Sequence, residues 1–441
     1  MNSFDDLARR AVARRDADAI LAYAYSFYVP ALHRKKGVER SAKFLELSKL
    51  QVRQLPLPVI RVTGTNGKGA TVRCVESFLR AVGKETVCLT SPHIYSVRER
   101  IRLDGRAISW EQLGQALEWI YPFLELMRGS EWHPHPTDLW TWIAFALHAS
   151  APQAWGVYEV GKGGGSDIIN VFPGGLVGLT NIANDHLEEF GGSLGTLLQE
   201  KLGLCSPGTI LCHNALDDHL EQRLRDYCHK HGITAIRTSK LLRTSKSGQP
   251  VDHEHSANRA LALAIVECLG IDWARGVDDA PQLPCRMERR VIGGRLFIMD
   301  GAHNPAAMKR VVSQFDDMVN RRRITVFGVQ ESKDWRGLMQ WLARIPELKS
   351  VICVPMTTGY PVDAELLALE ASANRLHGLA LPGMRSGLRH VLSLEWDECL
   401  VTGSFKLFRD FDLGLHALGH RAWAIPVEAI DPSQPWMRPL A

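Results

Sequence analysis

The sequence predicts an α/β protein whose mostly parallel β-sheet carries helices on both faces. Short apolar runs that suit buried strands alternate with amphipathic stretches that suit helices, and this alternation is typical of βα units. One run, residues 59–63, leads directly into a glycine-rich turn, after which residues 71–82 repeat apolar side chains with a helical period. At 441 residues the chain is long enough for two or three domains.

The first set of βα units follows a mainly helical segment at residues 4–50. Further strand patterns are found at residues 86–89, 101–103, 156–160, 176–182 and 209–213. Helical patterns are found at residues 110–126, 138–149 and 256–269. Together these units predict an N-terminal domain of residues 1–290.

A second, smaller domain is predicted at residues 291–441, after a stretch of linker composition at residues 278–284. Strand patterns are found there at residues 295–300, 324–328, 351–354 and 400–402. Helical patterns begin at Pro305 and at Leu338. The alternation is again that of βα units.

The composition argues against several classes of protein. An apolar fraction of 45% with 23% charged residues is ordinary for a globular enzyme, and a net charge of +4 without a long basic run does not indicate a nucleic-acid partner. We find no apolar segment long enough to span a membrane, and the first residues are too acidic for a signal peptide. Nine scattered cysteines without a C-x-x-C pair favour a reducing, cytoplasmic location over a disulfide framework.

The glycine-rich turn is the strongest candidate for a binding site. Its residues are Gly64, Thr65, Asn66, Gly67, Lys68 and Gly69. Glycines allow positive φ angles and close approach of the backbone to an anion, and the lysine charge suits the β- and γ-phosphates of a nucleotide. A helix is predicted to begin here, and helix N-termini attract anions. Val62 and Gly69 depart from the G-x-x-x-x-G-K-[ST] pattern, so an ordinary glycine turn is the alternative.

Polar side chains at three other strand ends are candidate metal ligands. They are Ser91, Glu159 and His186. Since the carboxyl ends of parallel strands meet at one edge of a sheet, these side chains are expected near the glycine-rich turn. Mg²⁺ prefers oxygen ligands, which favours Glu159 over His186. Taken singly, each residue is typical of a turn or of ordinary structure, but their convergence on one turn favours a site.

Three further stretches contain polar residues with different interpretations. Lys201 lies in a helical pattern, and by itself it is typical of a surface lysine. Residues 300–305 end a strand with Asp300 and begin a helix with a proline, which suits a ribose or phosphate contact. His133 and His135 are separated by prolines, so a loop is expected there rather than a metal site.

The order and spacing of several motifs resemble those of a known family. The motifs are residues 64–69, 90–93, 98–101, 159–161, 180–186, 200–201 and 300–305. They resemble the folylpolyglutamate synthase and dihydrofolate synthase family of the Mur ligase superfamily, over roughly residues 35–410. The resemblance implies a Mur-ligase-like fold: an N-terminal phosphate-loop ATPase domain, a smaller C-terminal Rossmann-like domain, and catalysis in the cleft between them.

The resemblance also implies a reaction, in which an ATP-dependent ligase forms an amide through an acyl phosphate. The γ-phosphate would pass to a small-molecule carboxylic acid, folate-like or other, and the amine of an amino acid, glutamate in the family, would attack the activated carbonyl. The implied catalytic residues are Lys68, Lys201 and His303. The implied ATP contacts are residues 64–69, Asn258, Arg286 and, at the ribose, Asp300. The implied Mg²⁺ ligands are Ser91, Glu159, His186 and, if carbamylated, Lys201.

The chain departs from the family pattern at several positions. Ala70 removes a hydroxyl that is usual after the last glycine of the turn, which leaves Thr71 as a further candidate metal ligand. Residues 163–170 lack an arginine and a threonine of the family, and Cys285 replaces a glycine. Two alternatives therefore stay open: a paralogue that joins an amino acid to a non-folate acid, and a nucleotide-binding module without catalysis. A monomer is expected.

Overall fold

The computed structural model describes residues 17–29, 37–185, 187–238, 253–271, 283–315 and 321–420. The chain forms two compact units that divide between residues 281 and 282. Both units are α/β folds, and the predicted fold class is confirmed. No helix among the described residues is long and apolar enough to cross a membrane.

An eight-stranded sheet forms the centre of the first unit. Its strands are β1 Ile60–Thr63, β2 Thr86–Leu89, β3 Ile101–Leu103, β4 Arg106–Ala107, β5 Trp155–Glu159, β6 Leu176–Leu179, β7 Ile210–His213 and β8 Thr234–Arg237. In the order β4-β3-β2-β5-β1-β6-β7-β8, all neighbours run parallel except β3, which is antiparallel to β2 and β4. β1 lies between β5 and β6, so the turn after it is at the middle of the sheet edge.

Helices cover both faces of this sheet. They are α1 Ala17–Tyr25, α2 Gly37–Ser48, α3 Lys68–Ala81, α4 Trp110–Met127, α5 Pro136–Ser150, α6 Leu194–Leu202, α7 Asp218–His231 and α8 His253–Cys268. Short 3₁₀ helices are found at Val52–Gln54, Val97–Arg100 and Leu187–Phe190. Successive strand residues point to opposite faces. Val87 and Tyr158 pack in the core with α4 and α5, whereas Cys88 and Val157 pack in the core with α3 and α8.

The second unit is built around a six-stranded sheet. Its strands are β9 Glu288–Ile292, β10 Arg295–Asp300, β11 Arg323–Phe327, β12 Leu348–Cys353, β13 His377–Ala380 and β14 Glu398–Thr402. Its helices are α9 Pro305–Ser313, α10 Trp335–Leu342, α11 Ala364–Ala373, α12 Met384–Ser393 and α13 Lys406–His416. In the order β13-β12-β11-β14-β10-β9, all neighbours run parallel except β9, which is antiparallel to β10.

β9 is an element that the sequence pattern did not predict, and the expected domain boundary at residue 290 falls inside it. The strand alternates buried and exposed residues, but its inward residues include Glu288 and Arg290, whereas Val291 is 75% exposed. The two buried charges pair with each other at 2.9 Å. Because two of the three inward residues are charged and one of the two outward residues is apolar, the strand shows no hydrophobic alternation.

Candidate active site

The glycine-rich turn connects β1 to α3 at the carboxyl edge of the first sheet. Gly64 and Gly67 have φ angles of 134° and 83°, a range that residues other than glycine seldom adopt. The Nζ of Lys68 donates to the carbonyls of Gly64 and Thr65, each at 3.1 Å, so its ammonium lies over the turn. Gly67 is the N-cap of α3 and offers no capping side chain. This arrangement presents positive charge at a helix N-terminus, where a phosphate would be stabilised.

The segment after β6, residues 180–183, fixes the shape of this turn. The amide of Thr65 donates to the carbonyl of Asn181 at 2.9 Å, and the amide of Asn66 donates to the Asn181 side chain at 2.8 Å. The Thr180 hydroxyl donates to the carbonyl of Asn66 at 2.6 Å, and the amide of Ala183 donates to the Thr65 hydroxyl at 3.0 Å. The polar residues that follow β6 therefore support the turn.

Glu159 ends β5 beside the turn. The residue is 8% exposed, and its Oε2 accepts a hydrogen bond from the amide of Ser91 at 2.8 Å. A Cβ placed on Gly69 would lie 3.1 Å from the same oxygen, so a glycine at this position allows the carboxylate to approach the turn closely. Ser91 itself is exposed, whereas the Thr71 hydroxyl is buried and donates to the carbonyl of Gly67 at 3.1 Å. The Thr71 proton is therefore used within α3, and the expected role of its oxygen as a further metal ligand stays a prediction.

Lys201 lies on α6 and is only 2% exposed, so the interpretation as a surface lysine is wrong. Its Nζ donates to the carbonyl of Lys162 at 3.0 Å. Burial, and secondly the charge of Lys68, lower the pKa of Lys201 to about 7, although the carboxylates of Asp167 and Glu200 act in the opposite direction. A large fraction of this amine is therefore neutral, and thus nucleophilic, near neutral pH.

Arg61 lies in β1 and was not singled out by its sequence pattern. It is fully buried and donates to the backbone carbonyls of Phe172 at 3.0 Å and of Leu204 at 3.1 Å. A longer contact of 3.4 Å reaches the side chain of Asn170, which in turn donates to the carbonyl of Gly203 at 3.1 Å. Arg61 thus connects the central strand with the loop before β6 and with the residues directly after α6.

Asn258, on α8, is the last of the expected residues in this unit that the structure describes. It is buried, and its side chain lies so close to Gly67 that a Cβ on that glycine would collide with it. His186 lies outside the described residues, so its expected role as a metal ligand stays a prediction. Among the residues that the structure does describe, no three His, Cys, Asp or Glu side chains are grouped to hold a metal ion.

In the second unit, Asp300 ends β10 and is completely buried. Its carboxylate accepts from the amides of Met287 and Ala302, each at 2.9 Å, and pairs with Arg310 through both oxygens at 3.1 and 2.9 Å. Both oxygens are thus engaged in holding two loops and a helix. As it is placed, the carboxylate positions these loops, and the ribose contact expected from the sequence stays a prediction.

His303 and Arg286 lie near one aromatic ring, that of Phe405. The ring centroids of His303 and Phe405 are 6.0 Å apart in an edge-on arrangement, and the guanidinium carbon of Arg286 is 4.6 Å from the centroid of the same ring. The Nδ1 of His303 lies 2.9 Å from the carbonyl of Gly301, which fixes this nitrogen as the donor. The two residues expected to contact nucleotide and phosphates are therefore neighbours in this unit.

Comparisons with known proteins agree with this arrangement. The family described as Mur ligase, glutamate ligase domain, matches residues 285–405. Folylpolyglutamate synthase of Arabidopsis thaliana is 30% identical over 303 residues, which are 62% of this chain and 53% of that protein. Dihydrofolate synthase/folylpolyglutamate synthase of Mycobacterium tuberculosis is 29% identical over 364 residues, 72% of this chain and 74% of that protein. The match thus spans only about half the length of the Arabidopsis relative.

A solved structure of FolC from E. coli, in complex with DHPP and ADP, superposes with a TM-score of 0.78 at 22% identity, covering 91% of this chain and 97% of that one. In sequence and in fold the chain is similar to the folylpolyglutamate synthase/dihydrofolate synthase family. The similarity in fold covers both α/β units, and the Mur ligase family model matches within the second unit.

Two positions at which this chain departs from the family pattern have distinctive surroundings in the structure. Cys285, where the family has glycine, adopts a φ of 56°, a conformation that is strained for a cysteine. Gly165, where the family has arginine, approaches Gly203 so closely that a Cβ would lie 3.2 Å from its Cα. A larger residue at position 165 would require this loop to move away from the end of α6.

Proposed function

We propose that this chain is an ATP- and Mg²⁺-dependent ligase that joins an amino acid, glutamate, to the carboxylate of a folate or pteroate substrate through an acyl phosphate. The observation that supports it most is the glycine-rich turn, with Lys68 over it and Glu159 beside it, close enough to the buried Lys201 for the Lys68 charge to act on that amine. The names of the relatives, and the DHPP and ADP in the E. coli structure, agree with this reaction. We also propose a cytoplasmic location, since all nine cysteines are free. The proposed monomer stays the expectation from the sequence.

The residues of the turn would bind and orient the nucleotide. Lys68 would balance charge on the β- and γ-phosphates, and the glycines would let the backbone amides approach them. Phosphoryl transfer needs little covalent help from a protein, so alignment and charge balance are the main contributions asked of this site. We assign Asn258 in the first unit, and Arg286 and His303 in the second, to nucleotide binding. Asp300 positions the two loops that carry Arg286 and His303.

The side chains beside the turn fit a magnesium ion. Mg²⁺ is usually held by one or two carboxylates together with substrate phosphates and water, so a dedicated cluster of protein ligands is unnecessary. Glu159 and Ser91 would hold it, and Lys201 would add an oxygen ligand once its neutral amine is carbamylated; the assignment of His186 to a second ion rests on the family pattern alone. When bound, the ion neutralises charge that develops on the transferred phosphoryl group.

The identity of the acid is tested by phosphate release from ATP. The purified protein is supplied with dihydropteroate, tetrahydrofolate or a panel of other carboxylic acids, each with and without glutamate. We expect glutamate-dependent release with at least one of the two pteridines. Release only with another acid would overturn the folate assignment in favour of a paralogue, which the replacement of the family arginine by Gly165 would then explain. Nucleotide binding without release on any acid would overturn the ligase assignment.

Two variants test the residues. Lys68→Ala and Lys201→Ala are expected to abolish product formation and to retain the far-UV circular dichroism of the native protein. Lys162→Ala is the matched control, because the Lys162 side chain is 56% exposed and pairs with Glu189 on the surface. Its backbone carbonyl, which accepts from Lys201, is unaffected by the change. Unchanged turnover in both of the first two variants would contradict the mechanism.

A further inference from the structure

Two cysteines in the first unit are in direct contact. Cys212 lies on β7 and Cys268 is the last residue of α8, and their Sγ atoms are 3.6 Å apart. Both thiols are free. A disulfide needs a separation of about 2 Å, so small side-chain rotations could bring the two sulfur atoms to bonding distance.

The two thiols differ in access to solvent. Cys212 is completely buried among residues of the core shared by α3 and α8, whereas Cys268 is half-buried. The hydrogen bond between them lowers the pKa of Cys268, and the same bond together with burial raises the pKa of Cys212. Cys268 is thus the thiol that a reagent in solution reaches first, and it is also the one more readily ionised.

We propose that Cys268 and Cys212 form a redox-active pair that is oxidised to a disulfide by low-molecular-weight disulfides. The Cys268 thiolate attacks one sulfur of the reagent, forms a mixed disulfide and releases the first thiolate of the reagent. Cys212 then loses its proton and attacks the Sγ of Cys268, which releases the second thiolate of the reagent. Two protein thiols are oxidised and one reagent disulfide is reduced to two thiols, so electrons and protons balance.

The disulfide would fix α8 to the sheet. α8 packs against β6, β7 and α3, and it carries Asn258, whose side chain lies against Gly67 of the glycine-rich turn. A covalent bond at the far end of α8 restricts the unfolded chain and opposes separation of this helix from β7. The oxidised protein is therefore expected to unfold at a temperature several degrees higher than the reduced protein.

The full-length protein is tested by thiol mapping. Reduced protein is incubated with oxidised glutathione, remaining thiols are blocked with N-ethylmaleimide, and peptides are identified by mass spectrometry. We expect a peptide pair linked through Cys212 and Cys268, and its loss after treatment with a reductant. The proposal would be overturned if both cysteines were recovered as maleimide adducts at every concentration of oxidised glutathione. The control is the denatured protein, whose cysteines must react with oxidised glutathione under the same conditions.

Single variants separate the two steps. Cys212→Ser removes the resolving thiol, so a glutathione adduct is expected to accumulate on Cys268. Cys268→Ser is expected to leave Cys212 unmodified under the same conditions, because the buried thiol has lost its partner. Cys228→Ser, at a buried cysteine of α7, is the control and should retain the linked peptide. An adduct on Cys212 but none on Cys268 would refute the assigned order of attack.

Discussion

The burial of Lys201 makes a quantitative prediction about stability. A lysine whose pKa falls from 10.5 to about 7 on folding destabilises the folded state, because the charged form is disfavoured inside the protein. A shift of this size corresponds to about 5 kcal/mol, and the figure is an upper value since local opening relieves part of it. Lys201→Met, which keeps the length of the side chain without the charge, should remove this cost.

The pH dependence follows from the two protonation states. Below pH 7 both the folded and unfolded chains hold the proton, so the whole cost of about 5 kcal/mol applies. Between pH 7 and 10.5 the unfolded chain holds more protons than the folded one, so the destabilising cost of burying Lys201 falls as the pH rises. The advantage of Lys201→Met over the wild type should therefore shrink, from about 5 kcal/mol at pH 6 to about 1 kcal/mol at pH 9.5.

The measurement is urea unfolding of metal-free protein in buffers freed of carbon dioxide, at several pH values from the lower to the upper of those just given. Lys43→Met supplies the baseline, because it removes a lysine from the surface of α2 where it pairs with Glu46. The hydrogen bond that Lys201 donates to Lys162 is lost in the variant and lowers the advantage by about 1 kcal/mol at every pH. The measured advantage should therefore fall from about 4 kcal/mol at pH 6 to about zero at pH 9.5. An advantage that does not change with pH, or that grows as pH rises, would refute the reasoning.

Three further substitutions test other parts of the structure. Gly67→Ala should weaken nucleotide binding, measured by calorimetry, because a Cβ at this position meets the side chain of Asn258. Gly83→Ala is the control, since Gly83 has a similar φ of 73° and no neighbour within 4 Å of the added Cβ. It should lower the free energy of unfolding by only about 1 kcal/mol, the cost of a positive φ, and leave nucleotide binding unchanged. Asp300→Asn breaks the buried ion pair with Arg310 and should lower the free energy of unfolding by about 3 kcal/mol. A loss of less than about 1 kcal/mol would contradict the positioning role of Asp300. Arg61→Met should also lose about 3 kcal/mol in urea unfolding, since backbone carbonyls are left without donors, and equal stability would contradict this.

The parts of the fold that could be predicted from the sequence are those in which local pattern and burial agree. β2 and β10 match their predicted ranges because parallel strands buried on both faces form continuous apolar runs. The position of Glu159 beside the turn could also be inferred, since β5 and β1 are neighbours and both end at the same edge. The turn itself is readable because glycine is needed locally at Gly64 and Gly67.

The remaining features depend on contacts between residues far apart in the chain. The burial of Lys201 arises from loop 162–167, which covers α6, and no residue near position 201 indicates that cover. Arg61 is a charged residue within an apolar strand pattern, and the carbonyls that accept its hydrogen bonds lie more than a hundred residues away in the chain. The pairing of Asp300 is an exception, because Arg310 is only ten residues away, but a strand that ends with an acid is equally typical of a ligand contact.

The hydrogen bonds between the glycine-rich turn and residues 180–183 determine how a nucleotide meets the protein. Because hydrogen bonds to residues 180–183 hold the turn in its shape, we expect that no loop has to be ordered when phosphate arrives. Binding then avoids the conformational entropy that a mobile loop would lose on complex formation. Association should accordingly be a single step whose rate grows in proportion to nucleotide concentration, without a slow unimolecular phase at saturation.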